Sequence, residues 1–208
     1  MRLPRSASAL RAGAVVIVVL LAGACSQSST EPPKPPRPTP IGQLDTARMV
    51  IPRIAFCDLV PDRAVEDALG GELSGSREWS TGDPARPVTG STGDVTDEFG
   101  CSWTSTAGTT ARAWVFSRPV TAVFARRVVR DAAAQRGCRT EPGPGFGQPS
   151  ELQVCRLPGD VLRVRNAGLF GNSWLACEVQ ARDPGRTELR SSAERWCVEV
   201  ANALDTAG

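Results

Sequence analysis

Residues 151–166 read ELQVCRL-PG-DVLRVRN, and this stretch decides the fold class. Two runs rich in Val, Leu and Cys flank Pro158-Gly159, a dipeptide that marks a tight turn, so the segment predicts an antiparallel hairpin over 151–157 and 160–166. In the second run Leu162 and Val164 alternate with Arg163 and Arg165, the pattern of a strand with one apolar and one wet face. Downstream, residues 173–180 (SWLACEVQ) place Leu175, Cys177 and Val179 on one face of another strand. Upstream, 99–105 and 111–117 predict a second hairpin around Ala107-Gly108.

Three helices punctuate these strands. Pro61 opens the first and Gly70-Gly71 closes it, with Ala64, Val65, Ala68 and Leu69 as its apolar set. The second follows Pro119 and ends near Gly137, with Val120, Val123, Phe124 and Val128 as the expected stripe. For the third, Ser191 and Glu194 fit a capping box, and Ala193, Trp196, Cys197, Val200, Ala201 and Leu204 recur at helical spacing. Helix, two strands, helix, three strands, helix is an α+β order: one antiparallel sheet of about five strands with three helices. Residues 74–98 and 139–150, rich in Gly, Pro, Ser and Asp, read as surface loops.

The N-terminus reads differently. Arg2, Arg5 and Arg11 precede 13 uncharged residues, 12–24, too few for a membrane span of about 20 but suited to a secretory signal. Leu21-Ala22-Gly23-Ala24-Cys25 resembles the lipobox of bacterial lipoproteins, which implies cleavage before Cys25 and a lipid on its sulfur. The expected organisation is a signal peptide over 1–24, a lipidated Cys25 with a Pro-rich tether over 25–52, and a disulfide-bonded domain over 53–208. Six of the ten residues 31–40 are Pro, a composition for an extended spacer. That address places the domain on the extracytoplasmic face of the cell membrane.

Composition excludes several chemistries. The 208 residues include no His and no Tyr, so Ser-His-Asp and Cys-His catalysis and His metal ligation are absent. The formal charge is +2, but without Arg2, Arg5 and Arg11 the chain has 21 bases against 22 acids, and no nucleic-acid partner is expected. No G-x-S-x-G and no Gly-rich phosphate loop is present, and neither a cofactor nor a metal is expected.

Beyond Cys25 there are six cysteines, an even number in an exported chain, with 15 possible connectivities. Sequential pairing is the expectation: Cys57–Cys101, Cys138–Cys155 and Cys177–Cys197, the last joining two inferred core faces. No C-x-x-C supports redox or metal use.

Phe56-Cys57-Asp58-Leu59-Val60-Pro61, with Ala64-Val65 and Ala68-Leu69-Gly70, resembles the opening C-x-L-x-Pro helix of a family of actinobacterial lipoproteins known as a domain of unknown function. Cys101-Ser102-Trp103 resembles that family's following C-x-W strand. The layout is also similar to the extracellular sensor domains of actinobacterial receptor kinases. The resemblance implies a cell-envelope location and no catalytic residues.

Three groups are candidates for ligand chemistry. Trp79 is a large aromatic in a polar stretch, either a stacking platform or tucked under its own loop. Arg163 and Arg165, with Arg112 and Arg156 on the same sheet, form an anion-gripping face or a merely soluble one. Asp94, Asp97 and Glu98 are the tight acidic cluster, solvated or the carboxylates of a hydrolase. The leading expectation is a non-catalytic binding or sensing module with an unidentified envelope ligand or protein partner. A structural accessory subunit of an envelope complex and a carboxylate-dependent envelope hydrolase are the alternatives.

Overall fold

The computed structural model describes residues 39–84, 96–141 and 144–208. Its elements are α1 (Asp62–Leu69), β1 (Leu73–Trp79), β2 (Glu98–Ser105), β3 (Thr110–Phe116), α2 (Ala122–Ala133), β4 (Cys138–Glu141), β5 (Ser150–Leu157), β6 (Val161–Phe170), β7 (Ser173–Arg182) and α3 (Arg186–Asp205). The strands form one sheet in the order β1-β2-β3-β7-β6-β5-β4, with every neighbour antiparallel. The α+β class stands; the sheet has seven strands where five were expected. The two additional strands, β1 and β4, are its edges. Both lie in stretches read as loops, because an edge strand is held by main-chain pairing and needs little apolar alternation. β1 has no buried side chain. β4 is four residues long, and Cys138 on it sits directly opposite Cys155.

Alternation along the strands sorts side chains onto two faces. Trp103, Ala111, Ala113, Val115, Leu175, Cys177, Val179 and Val164 face α1 and α3 in the main core. Trp114, Phe116, Leu169, Trp174 and Ala176 point the other way, into a smaller core under α2. The helices therefore cover both faces of the sheet.

α1 buries its expected set and ends on Gly70 in the left-handed conformation. α3 buries all six expected positions, but it begins at Arg186 on a Gly185 cap, and the Ser191/Glu194 box is absent. The helix runs further back because Leu189, one turn earlier, is itself buried. In α2 the stripe is Ala125, Val128, Val129 and Ala132, not Val123 and Phe124, while Val120 lies just before the helix. Small residues face the sheet here because Trp174 and Trp114 already fill the space beneath.

Cys57–Cys101 and Cys138–Cys155 are bonded as expected. Cys177 and Cys197 meet in the core as expected but are free thiols, which corrects the third pairing. α3 seats the Cys197 sulfur over the β7 main chain, where its thiol donates to the Cys177 carbonyl at 3.6 Å. Packing also begins before residue 53. Ile41 and Ile51 are buried in the main core, and the Val50 amide donates to Asp205 Oδ1 at 2.7 Å. Cys25 lies outside the described residues.

Candidate functional site

The face shared with α2 carries a polar row across the whole sheet: Arg77, Ser102, Arg112, Glu178, Arg165, Gln153 and Thr140, each opposite the next. Arg163 lies one row further along, opposite Gln180. Arg156 is opposite Leu162 on the other face, so it does not join this group.

The expected wet face is in fact an internal ionic layer. Arg163 and Arg165 side chains are only 15% and 17% exposed. Arg165 Nη2 meets Glu151 Oε1 at 2.7 Å. Glu178 is shared, with Arg112 Nη1 at 3.5 Å on one oxygen and Arg163 Nε at 3.6 Å on the other. Arg163 Nη2 also lies 3.1 Å from Cys155 Sγ and 3.4 Å from Gln153 Oε1. Gln153 Nε2 donates to the Ala132 carbonyl at 2.8 Å and to Gln135 Oε1 at 3.0 Å, stitching the end of α2 to the sheet.

Burial dominates the electrostatics of this layer. It pushes the Glu151 carboxyl up in spite of Arg165 and Arg163. It pulls the Arg163 guanidinium down, with Glu178 opposing. Desolvation outweighs pairing in both, as it can for buried ion pairs. The layer keeps spare valences: Glu151 Oε2 and Arg165 Nε have no hydrogen-bond partner. Arg165 borders an open groove of about 570 Å³ against Val128, Asp131 and Gln135 of α2. Arg112, at 43% exposure, is the ionic member most open to solvent.

Trp79 is not a free platform. Its indole lies on Gly100, whose missing Cβ makes the seat, and its Nε1 donates to Glu98 Oε1 at 2.9 Å. The Arg77 guanidinium stands 5.7 Å over the ring. Trp79 and the Arg163/Arg165 pair share a face, but β1 and β6 are four strand spacings apart, about 19 Å. The structure does not bring them into one site.

Of the acidic cluster, Asp94 lies outside the described residues. Asp97 is engaged by Ser117 Oγ at 2.7 Å and Arg118 Nε at 3.1 Å. Burial raises the Glu98 carboxyl, the Trp79 bond opposes it, and Asp97 and Glu178 add to the rise. Asp97 and Glu98 border a cavity of about 380 Å³ with Phe116, Pro119, Val120 and Phe124. Among the described residues no group of three or more Cys, Asp or Glu is placed to hold a metal ion.

Sequence reasoning missed Glu151, Gln153 and Glu178. The available signal was a charged or amide residue inside an apolar strand run, which on a central strand demands a partner. No protein-family model matches the chain, and no curated protein matches it.

Proposed function

We propose that the protein is a membrane-anchored envelope lipoprotein, lipidated on Cys25, whose domain is a non-catalytic binding or sensing module on the extracytoplasmic face. The observation that carries the location is the pair of disulfides, Cys57–Cys101 and Cys138–Cys155. Disulfides persist in oxidising compartments, and the leader over residues 1–24 is the segment that would deliver the chain to one. The first disulfide also joins the two landmarks of the lipoprotein resemblance, Cys57 before α1 and Cys101 on β2. Intact mass of the membrane-extracted protein tests the anchor. The expected species begins at Cys25 and carries diacylglycerol; an unmodified chain starting at Met1 overturns it.

The binding reading is supported by Arg112 at the open rim of the ionic layer and by the groove beside Arg165. A thermal-shift screen against wall glycans, anionic lipids and small metabolites tests it. Ligand at about 100 times its Kd adds roughly 2.7 kcal/mol, a rise of about 5–10 °C for a domain of this size. Arg112→Ala should abolish the shift.

A hydrolase is the second reading, favoured by Glu98 alone. A carboxyl raised by burial, beside an ion-paired Asp97 and an open cavity, has the protonation of a general acid. Turnover of a wall fraction that disappears in Glu98→Gln would establish it. Absence of turnover on every wall fraction ends it.

A further inference from the structure

The outer side of α2 carries a chemistry that the sheet-face site leaves unused. Its sheet-facing stripe is Ala125 and Ala132, both buried, with Val128 and Val129 half-buried between them. At about 100° per residue, the opposite side centres on Val123, with Arg126, Arg127 and Arg130 within about 60° of it. Val123 is 65% exposed; Phe124, 44% exposed, lies about 100° round the helix from it, on the flank that borders the cavity beside Glu98. Residues 118–136 hold Arg118, Arg126, Arg127, Arg130 and Arg136 against Asp131 alone. Arg118 is taken by Asp97; among the described residues the other four make no ion pair.

A soluble polyanion would use the arginines and leave Val123 and Phe124 idle. A neutral protein surface would use the apolar pair and strip water from unpaired guanidinium groups. An anionic lipid surface uses both, since headgroup phosphates take arginine while the acyl boundary takes apolar side chains. We propose that this face of α2 docks on anionic phospholipid, with Val123 and Phe124 at the acyl boundary and Arg126, Arg127 and Arg130 on phosphates. Thr46 borders the same cavity as Ala122 and Arg126, which puts part of the segment after Ile41 beside the start of this helix. The proposal takes its location from the anchored reading but not its chemistry.

The test uses the full chain carrying Cys25→Ser, so that failure of the lipidation reading cannot affect it. Sedimentation is compared on phosphatidylcholine vesicles and on vesicles with about 30% phosphatidylglycerol, where each Arg near the surface is worth about 1 kcal/mol. The leader, with Arg2, Arg5 and Arg11 before its apolar run, favours anionic vesicles equally in every chain, so α2 is read from the change in the ratio between the Cys25→Ser chain and its variants. Anionic vesicles should bind far more strongly. That ratio should fall about fivefold for each of Arg126→Gln, Arg127→Gln and Arg130→Gln. Val123→Ser/Phe124→Ser should weaken binding to anionic vesicles as well. Continued shielding of Cys177 and Cys197 from thiol reagents confirms that each variant is folded. Equal binding to both compositions overturns the proposal, as does a ratio indifferent to the three Arg changes. Binding that ignores the Val123/Phe124 change and is matched by soluble polyphosphate assigns the face to a polyanion and overturns it too.

Discussion

Glu178 holds two arginines at once, and its own side chain is almost fully buried. Its loss would take from Arg163, a mostly buried guanidinium, its ion-pair partner and leave only the more distant Glu151. Breaking such a pair costs about 3–5 kcal/mol, so Glu178→Leu should lower the urea midpoint sharply. Arg118→Ala removes an exposed partner of Asp97 and should cost under about 1 kcal/mol. Equal losses from the two would mean that the ionic layer is no more than surface charge. Glu98 gives the pH dependence. Its carboxyl takes up a proton at higher pH in the fold than in the unfolded chain, whose value is 4.5. Through the window just above that value the folded state binds more protons, so stability falls as pH rises. Glu98→Gln keeps an acceptor for the Trp79 indole and removes this cost. Its urea midpoint should therefore exceed that of the natural chain at pH 7, and the difference should shrink towards pH 4.5. A constant difference across that range would refute the role assigned to burial.

Among the elements, legibility followed burial. α1, α3 and the central hairpins were readable because each sinks one face into the main core and shows the matching period. β1 and β4 were not, because an edge strand of polar residues carries no such signal. The faces of Arg163 and Arg165 were placed correctly by alternation, but their environment was not. Alternation reports which face a residue takes, and only the register puts Glu178 opposite Arg165 and Glu151 diagonal to it, two residues from Gln153 on β5. The thiols of Cys177 and Cys197 are a similar case: their faces were legible, their bonding was not. In α2 the large apolar residues Val123 and Phe124 face outward, whereas the helix docks through Ala125 beside Trp174 and through Ala132, whose carbonyl accepts from Gln153. That yields a test of packing. Ala125 is fully buried, and Ala125→Leu should overpack the small core and cost about 1–3 kcal/mol in chemical denaturation. If the variant is as stable as the natural chain, α2 is not seated against the sheet in this way.

For the molecule as a whole, the decisive boundary is where tether becomes domain. The Pro-rich composition set that boundary near residue 53, yet Ile41 and Ile51 are core residues. Two anchors hold the intervening segment: the Ile51 carbonyl accepts from Ser173 Oγ at 2.6 Å, and Arg53 Nη1 donates to Asn172 Oδ1 at 2.6 Å. The segment thus spans from the β6–β7 turn to the end of α3, where Val50 meets Asp205. Burying an Ile side chain is worth about 1.5–3 kcal/mol, so deleting residues 39–52 should cost roughly 3–6 kcal/mol, most of the stability of an ordinary domain. A chain starting at residue 53 should show a strongly lowered urea midpoint, and one starting at residue 39 should match the full-length domain. Equal midpoints for the two would return residues 41–52 to the tether. The outcome also sets the reach of the proposed anchor. If the domain starts at Ile41, the chain left between Cys25 and Thr39 extends at most about 50 Å, against the roughly 90 Å open to a tether running to residue 52. A shorter leash keeps the arginines of α2 nearer the lipid surface for more of the time, and so raises the effective concentration at which that face meets it.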